Sequence, residues 1–208
     1  MYSVEWDNTP EYLIMYHDLP RSARFWLFLL AVDLDLAKTA RKQGCSCGGR
    51  LHCANYLRKP RGTPVQLPKE QCLRLSFCCD RDGCRKRVTP PSVRFLGPKV
   101  YLGAIVILVS AMRQGPTPRR VRELSQRFGA KRWTIARWQI FWRDHFPQTP
   151  FWKLARARLV PLVEVVSLPY SLVHAFLCDH PLDVGWTQLL RFLSPITIPG
   201  GLKIEVSQ

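Results

Sequence analysis

Seven of the eight cysteines in this chain fall in one stretch, residues 44–94, and no other feature restricts its folding as tightly. They are Cys45, Cys47, Cys53, Cys72, Cys78, Cys79 and Cys84, with His52 among them. A tetrahedral ion of the zinc type needs four soft ligands, and paired thiolates from two turns supply them with little backbone strain. The two groups, separated by a strand-like stretch, read as the two knuckles of a zinc ribbon. In the second, Leu73, Leu75 and Phe77 alternate with Arg74 and Ser76 as in a half-buried strand, which runs into Cys79-Asp-Arg-Asp-Gly-Cys84 with Gly83 at the turn. In the first, Cys45-Ser-Cys47 has a single intervening residue where roughly two to four is usual, and Gly44, Gly48 and Gly49 supply the missing backbone freedom. The expected ligands of a structural Zn²⁺ are Cys45, Cys47, Cys79 and Cys84, with Cys78, Cys53 and His52 as alternatives. Buried reduced thiols would not need to gather at turns. A disulfide framework fits poorly, because adjacent Cys78 and Cys79 are awkward to pair and nothing marks a secreted chain.

Charge is the second constraint. Lys and Arg number 31 against 15 Asp and Glu, a net of +16. From Arg41 to Arg158 there are 26 basic residues and 5 acidic ones, so that span alone carries +21 and the rest of the chain −5. A strongly positive middle between acidic ends is the footprint of a polyanion-binding surface. Met1–Asp18 carries acids rather than a basic and then apolar leader, so no signal peptide is expected. The apolar runs Phe25–Val32 and Val100–Met112 are shorter than the ~20 residues of a bilayer span and read as buried helices. No membrane partner is expected, and the location is expected to be cytoplasmic.

In chain order, residues 1–19 are polar and aromatic and suggest no role. Arg21–Lys42 reads as one packing helix between Pro20 and Gly44, with Phe25, Phe28, Leu29, Val32, Leu36 and Ala37 on its buried stripe. The loop between the knuckles, with Arg58, Lys59 and Arg61, is basic and suits phosphate contact, as do Arg85, Lys86 and Arg87 directly after Cys84. After Val100–Met112 and a Gly-Pro break, Thr117 is a good N-cap with Pro118 at the first helical position. The helix Pro118–Phe128 then shows Val121, Leu124 and Phe128 on one face, with Arg119 and Arg120 outside it. Gly129 suits a left-handed turn, and Arg132–His145 has Ile135, Trp138 and Trp142 along one seam. Helix, glycine turn and helix, with basic residues opening the second helix, make a helix-turn-helix. The tail is expected to hold helices at Leu168–Cys178 and Val184–Leu193, the latter capped by Asp183, with Cys178 a buried thiol. Its apolar surface either packs on the N-terminal helix or forms a protein interface.

The segment VRELSQRFGAKRWTIARW resembles the homeodomain-like helix-turn-helix of bacterial insertion-sequence transposases. The cysteine block before it resembles the zinc ribbon that opens several of them. Together the two cover residues 44–145, about half of the chain. The resemblance implies DNA contact by Arg132, Trp133, Ala136 and Arg137 on the outer face of the second helix, with Lys131 standing where the family has a Ser or Thr cap. The fold class is therefore mainly α with a small zinc-ribbon β module and a helix-turn-helix DNA-binding domain. Four segments follow: 1–43, 44–96, 97–148 and 149–208.

The transposase catalytic domain is missing from this pattern. Three metal-holding carboxylates on a long domain are required, whereas the acids after His145 are Glu164, Asp179, Asp183 and Glu205 in apolar, Pro-punctuated stretches. A non-enzymatic DNA-binding protein of a bacterial mobile element is expected, nucleoid-associated, bound to double-stranded DNA and partnered by a separate recombinase or transposase. The competing readings are a transcriptional regulator or adaptor that recruits a partner through its tail, and an RNA-binding protein.

Overall fold

The computed structural model describes residues 22–58, 66–95, 117–159 and 163–198. The expected helix Val100–Met112, residues 1–19, Lys59, Arg61 and Glu205 lie outside them. The chain is mainly helical with small antiparallel sheets. Among the described residues, no helix is long and apolar enough to cross a membrane.

Helix α1, Ala23–Gln43, buries Phe25, Trp26, Leu29, Val32 and Ala37. Arg41 and Lys42 in its last turn complement the negative end of the helix dipole, and Gly44 ends it with its N–H on the Arg41 carbonyl. Two positions differ from the expected stripe. Phe28 is 38% exposed, and Asp33 lies on the buried side. The stripe turns to include Trp26, whose large ring has more apolar surface to hide than Phe28.

The cysteine block folds into two small sheets. Strand β1, Leu51–Cys53, pairs antiparallel with β4, Phe77–Cys79, and β4 pairs with β5, Arg87–Val88. Strand β2, Tyr56–Leu57, pairs with β3, Leu73–Arg74, which follows the single-turn helix α2, Lys69–Cys72. The strand expected over Leu73–Phe77 is thus broken in two. Arg74, Leu75, Ser76 and Phe77 are all buried, so its alternation of burial fails. The reason is specific hydrogen bonding of the polar pair: Arg74 Nη2 donates to the Pro90 carbonyl at 2.6 Å, and Ser76 Oγ accepts from Arg87.

Helix α3, Pro118–Phe128, starts as expected, with Thr117 Oγ1 accepting from Arg120 N. It ends at Gly129, whose φ of 61° is the left-handed turn that favours glycine. Helix α4, Arg132–Ile140, continues into a π-helical turn at Phe141–His145 and a 3₁₀ turn at Phe146–Gln148. Helices α5, Pro150–Ala155, α6, Tyr170–Leu177, and α7, Leu182–Leu193, complete the described chain. Helix α7 begins earlier than expected, directly after Pro181, which leaves Asp183 inside the first turn rather than capping it. Cys178 is exposed where a buried thiol is expected, because it follows the last turn of α6 beside exposed Asp179 and His180.

Buried side chains gather in two clusters. The larger joins α1 to α3, α4, α5, α6 and α7 through Phe25, Trp26, Phe128, Trp138, Trp142 and Trp186, so the tail packs within the chain. The smaller surrounds four cysteines with Ala37, Leu51, Leu75 and Phe77.

A buried polar hub links the cysteine module to the helices. Asp33, 1% exposed in the middle of α1, accepts from Ser92 Oγ at 2.6 Å, Val93 N at 2.6 Å and Arg94 Nε at 2.8 Å. Arg94, also 1% exposed, donates from Nη1 to the Gln71 carbonyl and from Nη2 to that of Leu73, at 2.5 and 2.9 Å. Ser92 N reaches Thr197 Oγ1 at 2.9 Å, tying in the chain's far end. Two of the arginines counted in the basic span, Arg74 and Arg94, are therefore interior and unavailable to any polyanion.

Candidate metal centre and basic helix face

Cys45, Cys47, Cys79 and Cys84 bring their sulfurs within 4.8 Å of one another, a group that could hold a metal ion. Cys45 and Cys84 sulfurs stand 3.7 Å apart, and those of Cys47 and Cys79 3.5 Å. A tetrahedral ion about 2.3 Å from each thiolate separates the ligands by roughly 3.8 Å, so these dimensions fit. Cys53, Cys78 and His52, the alternatives, stand apart from this group.

The backbone explains how so short a Cys-x-Cys spacing serves. The first turn closes with Gly48 N on the Cys45 carbonyl at 2.8 Å and Gly49 N on Cys47 Sγ at 3.4 Å. A Cβ on Gly49 would collide with Cys79 Sγ, so a glycine is required where the two knuckles meet. Cys47 Sγ accepts from Gly49 N, and the Arg81 and Lys86 N–H groups, each two residues beyond Cys79 and Cys84, act on those thiols in the lowering direction. Such donors favour the charged sulfur that binds a metal.

The thiols of the cluster divide sharply. The Gly49 N–H, followed by the neighbouring thiols, lowers Cys47 to about 6. At Cys79 the Arg81 N–H pulls the other way, yet burial and the three neighbouring sulfurs push the thiol up to about 12. Without a cation, one negative charge in the cluster opposes the next. A divalent ion removes that opposition.

The knuckles are also clamped by polar contacts. Asp80 Oδ1 accepts from Arg50 N at 2.9 Å, and His52 Nε2 lies 3.3 Å from Asp80 Oδ2. Burial raises the Asp80 pKa, but these two partners outweigh it and hold the carboxylate below its usual range. Arg81 Nη1 donates to the Cys47 carbonyl across the same junction. His52 thus braces Asp80 beside the four sulfurs.

The basic residues are distributed unevenly. Lys131, Arg132, Trp133, Ala136 and Arg137 are exposed on α4, whereas Ile135 and Trp138 are buried beneath them. Trp133 is 77% exposed. Arg132 and Arg137 form no ion pair among the described residues. Arg85 and Lys86 are exposed just beyond Cys84. Arg87 is already engaged, donating from Nη1 to the Ala54 carbonyl at 3.0 Å and to Ser76 Oγ, with its guanidinium over the Tyr56 ring. Arg58 lies over the same ring at 5.9 Å. Arg119 and Arg120 both pair with Glu123, at 3.3 and 3.5 Å.

Sequence reasoning missed the Asp33–Arg94 hub. Its only signal was an acid on the apolar side of a helical stripe, too common by itself to assign a partner 61 residues away. Comparison of the chain with protein-family models, curated proteins and solved structures gave no match.

Proposed function

We propose that this chain is a DNA-binding protein of a bacterial mobile element, built as a zinc ribbon joined to a helix-turn-helix. The observation that carries the reading is the division of α4, with Ile135 and Trp138 in the core and Arg132, Trp133, Ala136 and Arg137 outside. A helix anchored on one side and unpaired and basic on the other suits the second helix of a helix-turn-helix in the major groove. Thr117 and Gly129 support the same assignment, because they define a capped first helix and a sharp turn into the second. The Cys45–Cys47–Cys79–Cys84 centre would hold a structural Zn²⁺, all four positions being protein sulfurs with none left for a substrate. In this reading the protein performs no catalysis, acts beside a separate recombinase or transposase, and associates with the nucleoid.

Lys131, Arg85 and Lys86 would grip phosphates, while Arg137 reads a base. An arginine can donate a bidentate pair to guanine, worth about 1–3 kcal/mol of discrimination. The test is the ratio of affinity for a selected duplex site to affinity for random duplex. Arg137→Ala should lower that ratio roughly 5- to 150-fold, while Lys86→Ala lowers both affinities together. An unchanged ratio for Arg137→Ala removes the base-reading role from this helix.

A further inference from the structure

The outward face of α4 holds more than charge. Successive helical residues advance by about 100°, so Arg132, Ala136, Ile140, Trp133 and Arg137 follow one another around an arc of roughly 140°. In that order, apolar Ala136, Ile140 and Trp133 form the middle, and one arginine stands at each margin. Ile140 is 41% exposed and Trp133 77%. No acid lies on the face.

A tryptophan left this open to water is costly, since its ring offers more apolar surface than any other side chain. The fold does not lack interior places for indoles: Trp26, Trp138, Trp142, Trp152 and Trp186 are all buried. Trp133 sits in the first turn of α4, the part of a recognition helix that meets base edges. Its flat ring suits the flat face of a base, and the flanking Arg132 guanidinium suits the phosphate beside that base. In an uninterrupted duplex the faces of the bases are hidden by stacking, and only their edges show in the groove. A base that has lost its pair or its neighbour exposes its face.

We infer that Trp133 stacks on an unpaired base, so that the α4 face selects DNA with a local break in base pairing over uninterrupted duplex. This rests on the DNA-binding reading and specifies its substrate. Arg132 holds the backbone beside it, Arg137 keeps the edge of a neighbouring paired base, small Ala136 leaves room for the displaced base, and the indole provides sequence-tolerant stacking. A protein partner fits the face less well, because two arginines with no ion pair among the described residues would need matching acids at its margins, whereas a nucleic acid offers phosphates and guanine edges to both.

The test uses the full, zinc-loaded chain and three DNA probes of one sequence: the duplex, the same duplex with a central single-base bulge, and the single strand. Binding is followed by anisotropy of a label on the DNA. The wild type should prefer the bulged duplex to the intact one. Trp133→Ala should weaken bulge binding roughly 5- to 100-fold, several-fold more than it weakens intact-duplex binding, and Trp133→Phe should restore most of the loss. Melting temperatures of both variants should match the wild type, because the replaced side chain lies outside the core. Equal affinity of the wild type for bulged and intact duplex overturns the inference and leaves the DNA-binding reading in place. So does an equal loss on both probes with Trp133→Ala. Failure to bind any of the three removes both, and with an RNA single strand of the same sequence as a fourth probe, tighter binding to it replaces DNA as the target.

Discussion

Replacing Asp33 by alanine should cost this protein a large part of its stability without touching the four-cysteine cluster or the α4 face. The carboxylate accepts three hydrogen bonds, from Ser92 Oγ, Val93 N and Arg94 Nε, all between 2.6 and 2.8 Å. Its loss leaves the Arg94 guanidinium interior with no counter-charge in contact among the described residues. Removing one partner of a buried ion pair costs about 3–5 kcal/mol, against a usual total stability of about 5–15 kcal/mol. Because both residues are 1% exposed, water offers little screening at either end. In urea, where the unfolding slope is typically about 1–3 kcal/mol per molar and rises with size, a slope of about 2–3 lowers the midpoint by roughly 1–2.5 M. The double variant Asp33→Leu with Arg94→Met is the control. It removes both charges and refills the space, so it should be less destabilised than the sum of the two single changes. Arg94 also serves the carbonyls of Gln71 and Leu73, so some cost will remain in the double variant. A loss below about 1 kcal/mol for Asp33→Ala, or strict additivity in the cycle, would refute the claim that this pair locks the cysteine module to the helices.

The other expectations are shorter. Purified protein should carry one zinc per chain, and Cys84→Ser should lose it and lower the melting temperature, whereas Cys53→Ser should change neither; metal analysis and calorimetry decide. Trp138→Ala should unfold the helix pair by about 3–5 kcal/mol, because it empties a core position between α4 and its neighbours; circular dichroism during denaturation reads this directly. Affinity for duplex DNA should fall linearly on a log–log plot against salt with a slope of roughly −0.9 per phosphate contacted, and an affinity independent of salt would exclude phosphate grip.

Much of the helical pair was legible in the residues, because its signals are local. Thr117, Pro118 and Gly129 act on the backbone within one turn of themselves, and the Ile135–Trp138–Trp142 seam repeats at helical spacing. The four clustered cysteines were legible for a related reason: thiolates that share an ion must sit at turns, and turns advertise themselves through glycine. Choosing among Cys78, Cys79, Cys53 and His52 depended on strand register. The observed pairing sets His52 opposite Cys78 and Leu51 opposite Cys79, and alternation along β4 then turns Cys79 inward to the core and leaves Cys78 on the outer face. A shift by one residue would have exchanged the two thiols.

Charge was the least legible quantity, because a formal count assigns every arginine to the surface. Arg74 and Arg94 are interior, Arg87 is held by Ala54 and Ser76, and Arg119 and Arg120 share Glu123. What a polyanion can meet is the smaller set that forms no ion pair among the described residues, and on α4 and its N-cap that set is Lys131, Arg132 and Arg137. Neutralising Arg119 should therefore change the salt slope less than neutralising Arg132, since Glu123 already offsets part of the first charge. Equal slopes for the two variants would mean that DNA draws Arg119 away from Glu123, and that the first helix of the pair lies on the phosphates as closely as the second.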